Sequence, residues 1–186
     1  MISMKDMMTL KESTDWKTAT KLNNLWKTDP LFKDYHALST KGKGKCGEIF
    51  VSKYMEIKGS KVTKPLNTGH DRKIDNYKTE IKFSLANANS TKTEIIRDKF
   101  MINHVAISKD WQRFIFCGIN PENGNEQERI RMHWMDKKDF VNYMNSPGYK
   151  VFKRQQSGKK GGNDDYICTN YQALVDLSFV KEIKEW

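Results

Sequence analysis

The stretch "GHDRKIDNYKTEIKFS", residues 69–84, is the place from which the rest of the chain can be read. Asp75-Asn76 stands between two short strand-like runs, and a two-residue connection of this kind marks a tight hairpin turn. Symmetric antiparallel pairing about that turn sets Ile74 opposite Tyr77, Arg72 opposite Thr79 and Asp71 opposite Glu80. Side chains alternate along a strand, so Lys82 joins Asp71 and Glu80 on one face, while Ile81 and Phe83 point to the other, into a core. Opposed carboxylates repel, and an ordinary hairpin gains nothing from the pair. A divalent cation reverses that sign. Two carboxylates suit Mg²⁺, which keeps several waters and takes remaining ligands from a substrate phosphate. The Lys82 ammonium is then placed to neutralise charge on that phosphate or to position a water. The plainer reading of Asp71, Glu80 and Lys82 is an exposed, salt-bridged hairpin.

Outward from the hairpin, helices and strands alternate without internal repeats. Toward the N-terminus, Thr14 or Asp15 caps a helix carrying Trp16, Ala19, Leu22, Leu25 and Trp26, and a shorter helix covers 31–38. "STKGKGKCG" (39–47) reads as a basic Gly-rich linker, followed by an amphipathic helix from about Lys45 to Ile57 with Cys46, Ile49, Phe50, Tyr54 and Ile57 on one side. Beyond the hairpin, Thr91 and Glu94 form a capping box for a further helix. "RFIFCGI" (113–119) is an apolar run of the kind found in a strand covered on both faces. "RIRMHWM" (129–135) alternates as a half-buried strand does. Asp136 caps a helix through Met144 that "SPG" stops, Lys150 to Gln155 form another strand, and "SGKKGGNDD" is a mobile basic loop. A last helix is expected from Tyr171 to Glu185, with Ala173, Leu174, Leu177, Val180 and Ile183 on its core side. The pattern is α/β, with a mixed β-sheet flanked by helices.

Charge names a class of partner. Among 186 residues, Lys and Arg total 33 against 23 Asp and Glu, for a net charge of +10. Such an excess points to a polyanion, most often nucleic acid, or more simply to a soluble Lys-rich surface. Lys41, Lys43 and Lys45, and Lys153, Arg154, Lys159 and Lys160, are candidate phosphate contacts that read no sequence. No segment has the Arg, Asn and Gln density of a major-groove reader. Cys46, Cys117 and Cys168 are odd in number and far apart, as reduced thiols are. Neither a signal peptide nor a membrane-spanning apolar run is present in the pattern, and a cytoplasmic protein is expected.

Asp71, an eight-residue gap, and Glu80-Ile81-Lys82 resemble the core motif of the PD-(D/E)xK nuclease superfamily. His70 stands where that motif carries Pro. The resemblance implies a restriction-endonuclease-like core over roughly residues 43–116, whose leading helix supplies a further acid, here Glu48. It implies a single nuclease domain over 1–186, with an N-terminal helical segment (1–40) and a catalytic core with C-terminal helices (41–186). It implies Mg²⁺-dependent hydrolysis of DNA phosphodiesters, with Mn²⁺ substituting: Asp71 and Glu80 hold the metal, and Lys82 assists phosphate and water. Taken whole, the chain resembles the small cleavage subunit of a heterodimeric type IIS restriction endonuclease, which cuts one strand of double-stranded DNA while a larger subunit recognises the sequence. A repair nuclease or junction resolvase of the same fold, and a non-catalytic basic nucleic-acid-binding module, are the alternatives. Glu94 and His104 are secondary candidates: the capping box accounts for Glu94, and His104 reads either as a proton carrier or as a partly buried structural histidine.

Overall fold

A computed structural model describes residues 39–65, 69–85, 100–119, 130–154 and 165–186 of the chain. In order, the elements are α1 (Thr40–Ile57), β1 (Val62–Thr63), β2 (Arg72–Ile74), β3 (Tyr77–Leu85), β4 (Ile102–Ala106), β5 (Arg113–Ile119), β6 (Ile130–Asp136), α2 (Lys137–Met144), β7 (Lys153–Arg154), β8 (Asp165–Cys168), α3 (Tyr171–Val175) and β9 (Lys181–Glu182), with a 3₁₀ turn at Ile183–Glu185. The fold is mixed α/β. A six-stranded sheet runs β1-β2-β3-β5-β6-β9, and a three-stranded sheet runs β4-β8-β7. Only β3 and β5 pair in parallel in the larger sheet; its other pairs are antiparallel.

The hairpin forms in the predicted register, Ile74 against Tyr77 and Arg72 against Thr79. Asp75 and Asn76 sit at φ 47° and 74°, the left-handed pair that a tight two-residue hairpin requires and that Asp and Asn tolerate. β5 takes the centre of the sheet, and Phe114 to Ile119 are all buried, which is why its sequence is apolar without alternation. α1 covers the face taken by Phe83, with the Phe50 and Phe83 rings 5.9 Å apart. Gly47 makes that contact close, since a Cβ there would fall within the Phe83 side chain. On the opposite face, Phe116 packs edge-on against Tyr171, and Trp111 against Phe114. The His133 imidazole lies parallel to Phe116, and burial, aided by the charge of Arg131, pushes its pKa down to about 4.

Three expectations are corrected. First, α1 begins at Thr40, not Lys45, so most of the supposed linker is helical: Ser39 caps it by accepting from the Gly42 amide at 3.2 Å. The cap and the Gly47–Phe83 packing outweigh the poor helix propensity of Gly42 and Gly44. Within α1, Ile57 is exposed, and Val51 and Met55 join the buried side. Second, no helix runs from Tyr171 to Glu185. α3 stops at Val175, and Lys181–Glu182 instead pair with the open edge of β6 at His133 and Trp134. A strand edge supplies backbone partners that a continued helix would forgo. Third, of the strand expected over 150–155, the described residues form a strand at Lys153–Arg154 alone, with 150–152 outside it. Asp136 does precede α2, but its carboxylate accepts from Arg113 Nε at 3.2 Å and makes no cap bond. The helices expected before residue 39 and after Thr91 lie outside the described residues. Among the described residues, no helix is long and apolar enough to cross a membrane.

Candidate active site

Asp71 enters β2 from Gly69, whose φ of 127° favours glycine, and His70, which is buried. Its amide donates to the Thr79 carbonyl at 3.0 Å, and its Oδ2 accepts from the Ile81 amide at 2.7 Å. The residue thus grips β3 on both sides of Glu80. The sequence-derived register set Asp71 directly opposite Glu80; the hydrogen bonds place its main chain against Thr79 and its carboxylate against Ile81.

Glu80 is the most deeply placed charge of the group, 2% exposed, because its neighbour across the β3–β5 ladder is the core residue Phe114. A buried carboxylate is costly unless paired. Lys82 Nζ donates to Glu80 Oε1 at 2.6 Å, and Lys109 Nζ donates to the same oxygen at 2.8 Å. Asp71 feels all of this. Its pKa is raised to about 6, first by burial and then by the charge of Glu80, with Glu48 adding a little, against the lowering effect of the Ile81 hydrogen bond and of Lys82. The structure therefore brings Asp71, Glu80 and Lys82 together, as the spacing predicted.

Lys109 is the member that sequence reasoning missed. It sits in the turn between β4 and β5, which closes through Trp111 Nε1 donating to the Ala106 carbonyl at 2.8 Å. The Lys109 carbonyl is fixed in turn by Lys137 Nζ at 2.7 Å. Burial alone would lower the Lys109 pKa; the Glu80 hydrogen bond and the charges of Glu80, Asp71 and Asp165 overcome it, and the net shift is upward. No local pattern in "SKDWQ" announces this, because the contact joins residues 29 positions apart.

Glu48 lies on the side of α1 that faces β2. Its Oε2 accepts from Arg72 Nη1 at 3.0 Å and from Lys45 Nζ at 3.3 Å, while Arg72 Nε donates to Ser52 Oγ at 2.9 Å. Its charge reaches Asp71, but its carboxylate is directed to the buried Arg72 guanidinium. His104 stands on β4 at a register irregularity, with φ 55° and its Nδ1 2.8 Å from Asp165 Oδ2. Its side chain is 53% exposed, so the expected partly buried setting is not the one found. Asp165, whose charge reaches Lys109, links that residue electrically to the carboxylate centre.

Lys43 and Lys45 stand in the first turns of α1, where burial lowers the Lys43 pKa and Lys45 pairs with Glu48. Lys159, Lys160 and Glu94 lie outside the described residues. Among the described residues, no three His, Cys, Asp or Glu side chains gather as a ready metal-ligand set. The donors present, two carboxylates at a hairpin, fit an ion that takes one or two protein oxygens and fills its shell with water and phosphate. No protein-family model matches the chain, and no curated protein matches it either.

Proposed function

We propose that the chain is a Mg²⁺-dependent DNA endonuclease of the PD-(D/E)xK kind, the strand-cleaving small subunit of a type IIS restriction endonuclease whose larger subunit supplies recognition. The observation that carries this reading is the convergence of Asp71, Glu80 and Lys82 on one hairpin, with Lys82 2.6 Å from an acid that is 2% exposed. An acid so deeply placed beside a second carboxylate is expensive to fold, which is the usual mark of a site kept for chemistry.

Asp71 and Glu80 would hold the ion, which when bound would polarise a phosphodiester and make hydroxide available near neutral pH. Lys82 then supplies positive charge where the phosphate develops negative charge. Arg72 holds the middle of α1 in place through its bonds to Glu48 and Ser52. The basic balance of the chain suits double-stranded DNA, and Cys46, Cys117 and Cys168, all buried free thiols, suit a cytoplasmic setting.

The test is conversion of supercoiled plasmid to nicked or linear forms by the purified chain in Mg²⁺ or EDTA, beside Glu80→Ala. Mg²⁺-dependent scission lost in the variant supports the reading. Full cleavage by both Asp71→Ala and Glu80→Ala would remove the site assignment. A preference for mismatched or branched DNA would redirect it to a repair nuclease or resolvase. Salt-sensitive DNA binding with no scission, even beside a candidate large subunit, would leave a binding module.

A further inference from the structure

The carboxylate centre is balanced by the protein itself. Two acids, Asp71 and Glu80, meet two ammonium groups, Lys82 and Lys109, and both ammonium groups converge on the same atom, Glu80 Oε1. A divalent cation drawn to Glu80 enters a place already held by two like charges. An ion that takes Oε1 must displace at least one of them, and repulsion opposes its entry until a new anion arrives.

The two lysines are not equally able to leave. Lys82 rises from the middle of β3, two residues from its partner and 21% exposed, beside Phe116 of β5. Lys109 rises from a turn and is 40% exposed. Its backbone is pinned by Lys137 and by the Trp111–Ala106 bond, so its stem has a fixed root while its side chain keeps partial access to solvent. We propose that Lys109 is a second catalytic cation that exchanges Glu80 for a backbone phosphate of the nucleic acid when a divalent ion takes Glu80, so that ion and phosphate bind cooperatively.

This inference rests on the nuclease reading above and adds an order to it. The ion binds weakly alone because Lys109 competes for Glu80; the phosphate accepts the released ammonium and removes the competition. Coupling of this kind is reciprocal, so the ion must tighten the phosphate by the same factor. If Lys109 only neutralises a buried acid, it stays on Glu80 and no coupling follows.

The experiment is calorimetric titration of Ca²⁺ into the full chain, alone and with a short phosphorothioate duplex, for the native protein, Lys109→Gln and Glu80→Gln. Glu80→Gln reports ion uptake by the duplex itself. The native chain is expected to bind Ca²⁺ about tenfold or more tightly with the duplex than without it. Lys109→Gln is expected to bind Ca²⁺ more tightly than the native chain without the duplex, and to gain little from adding it. A second measurement needs no variant: acetylation of Lys109, followed by mass spectrometry, should rise on adding Ca²⁺ and fall again on adding the duplex. Ca²⁺ binding that depends on Glu80, with Lys109 labelling unchanged, would overturn this proposal alone. Ca²⁺ binding that is absent, or the same in Glu80→Gln, would overturn the nuclease reading with it. Should Lys109→Gln fail to fold, the labelling of the native chain decides.

Discussion

Trp186 Nε1 donates to Asp75 Oδ2 at 3.0 Å, tying the hairpin turn to a residue 111 positions away. The other oxygen, Asp75 Oδ1, accepts from the Lys61 amide at 2.8 Å. Around the indole, the Arg113 guanidinium lies over Tyr77, Trp134 and Trp186, at 3.6, 4.4 and 4.6 Å from their ring centres. The turn that sets the register of the site is therefore braced from two sides. Trp186→Ala is expected to cost about 2 kcal/mol through lost ring contacts and one hydrogen bond. Asp75→Gly keeps the left-handed backbone while deleting both acceptors, and should cost about 1–2 kcal/mol. Urea unfolding of the two single variants and the double variant checks both. A double-variant loss equal to the sum would show that the two residues do not act through each other.

Asp71 makes a pH-dependent prediction. Its folded pKa, about 6, lies above the ordinary aspartate value of 3.8, so the folded chain binds this proton more readily than the unfolded one. The stability it contributes is present below pH 3.8 and is lost as pH rises through about 6. Asp71→Asn keeps an oxygen for the Ile81 amide and removes the charge. At pH 7 it is expected to be more stable than the native chain by about 2 kcal/mol, with the gap closing toward pH 4. Chemical denaturation at a series of pH values measures this, and a variant less stable at pH 7 would refute the burial argument. Greater stability with loss of a charged site is the usual trade at functional positions.

How far the sequence could be read follows from the range of the forces involved. The hairpin was legible because turn chemistry and strand alternation are local: Asp75-Asn76 specifies its turn, and Ile74–Tyr77 and Arg72–Thr79 follow by counting. β5 was legible because its burial on both faces is written as an unbroken apolar run. β4 and β8 were not, since "INHVA" and "DYIC" are short and pair with each other across about sixty residues. The last helix was misread because Leu174, Leu177 and Val180 satisfy a helical period, while what decides that segment is the β6 edge beside it. The same limit hid Lys109 and the Arg72–Glu48 pair: both are contacts of the fold, with no signature in the neighbouring residues.

Arg72 is 7% exposed and donates to Ser52 Oγ, Glu48 Oε2 and the Asp71 carbonyl. Removing one partner of such a pair leaves the other poorly solvated, whereas removing both costs less. Arg72→Met is expected to lose about 2–4 kcal/mol, Glu48→Gln less because that carboxylate is partly exposed and also meets Lys45. A double-variant cycle should return a coupling of about 1–3 kcal/mol. Additive losses would show that the guanidinium holds α1 through Ser52 alone.

Gly47 and Gly44 lie one turn apart in α1 and should respond to alanine in opposite directions. A Cβ at Gly44 meets nothing within 4 Å, so Gly44→Ala acts through propensity alone and is expected to stabilise the protein by about 0.5–1 kcal/mol. A Cβ at Gly47 lands on Cβ and Cγ of Phe83, near the chain rather than at a flexible tip, and the helix or β3 must shift. Gly47→Ala is therefore expected to cost about 1–3 kcal/mol despite the better helix former. Because Glu48 follows directly and Lys82 precedes Phe83, the same shift moves both sides of the carboxylate centre. Phe83→Gly in the Gly47→Ala background should recover part of the lost stability, since it removes both the Cβ and the Cγ that collide. If the double variant instead loses the full sum of the two single losses relative to the native protein, the two residues are not in steric conflict, and the close approach of α1 to β3 at this point is not what holds the site together.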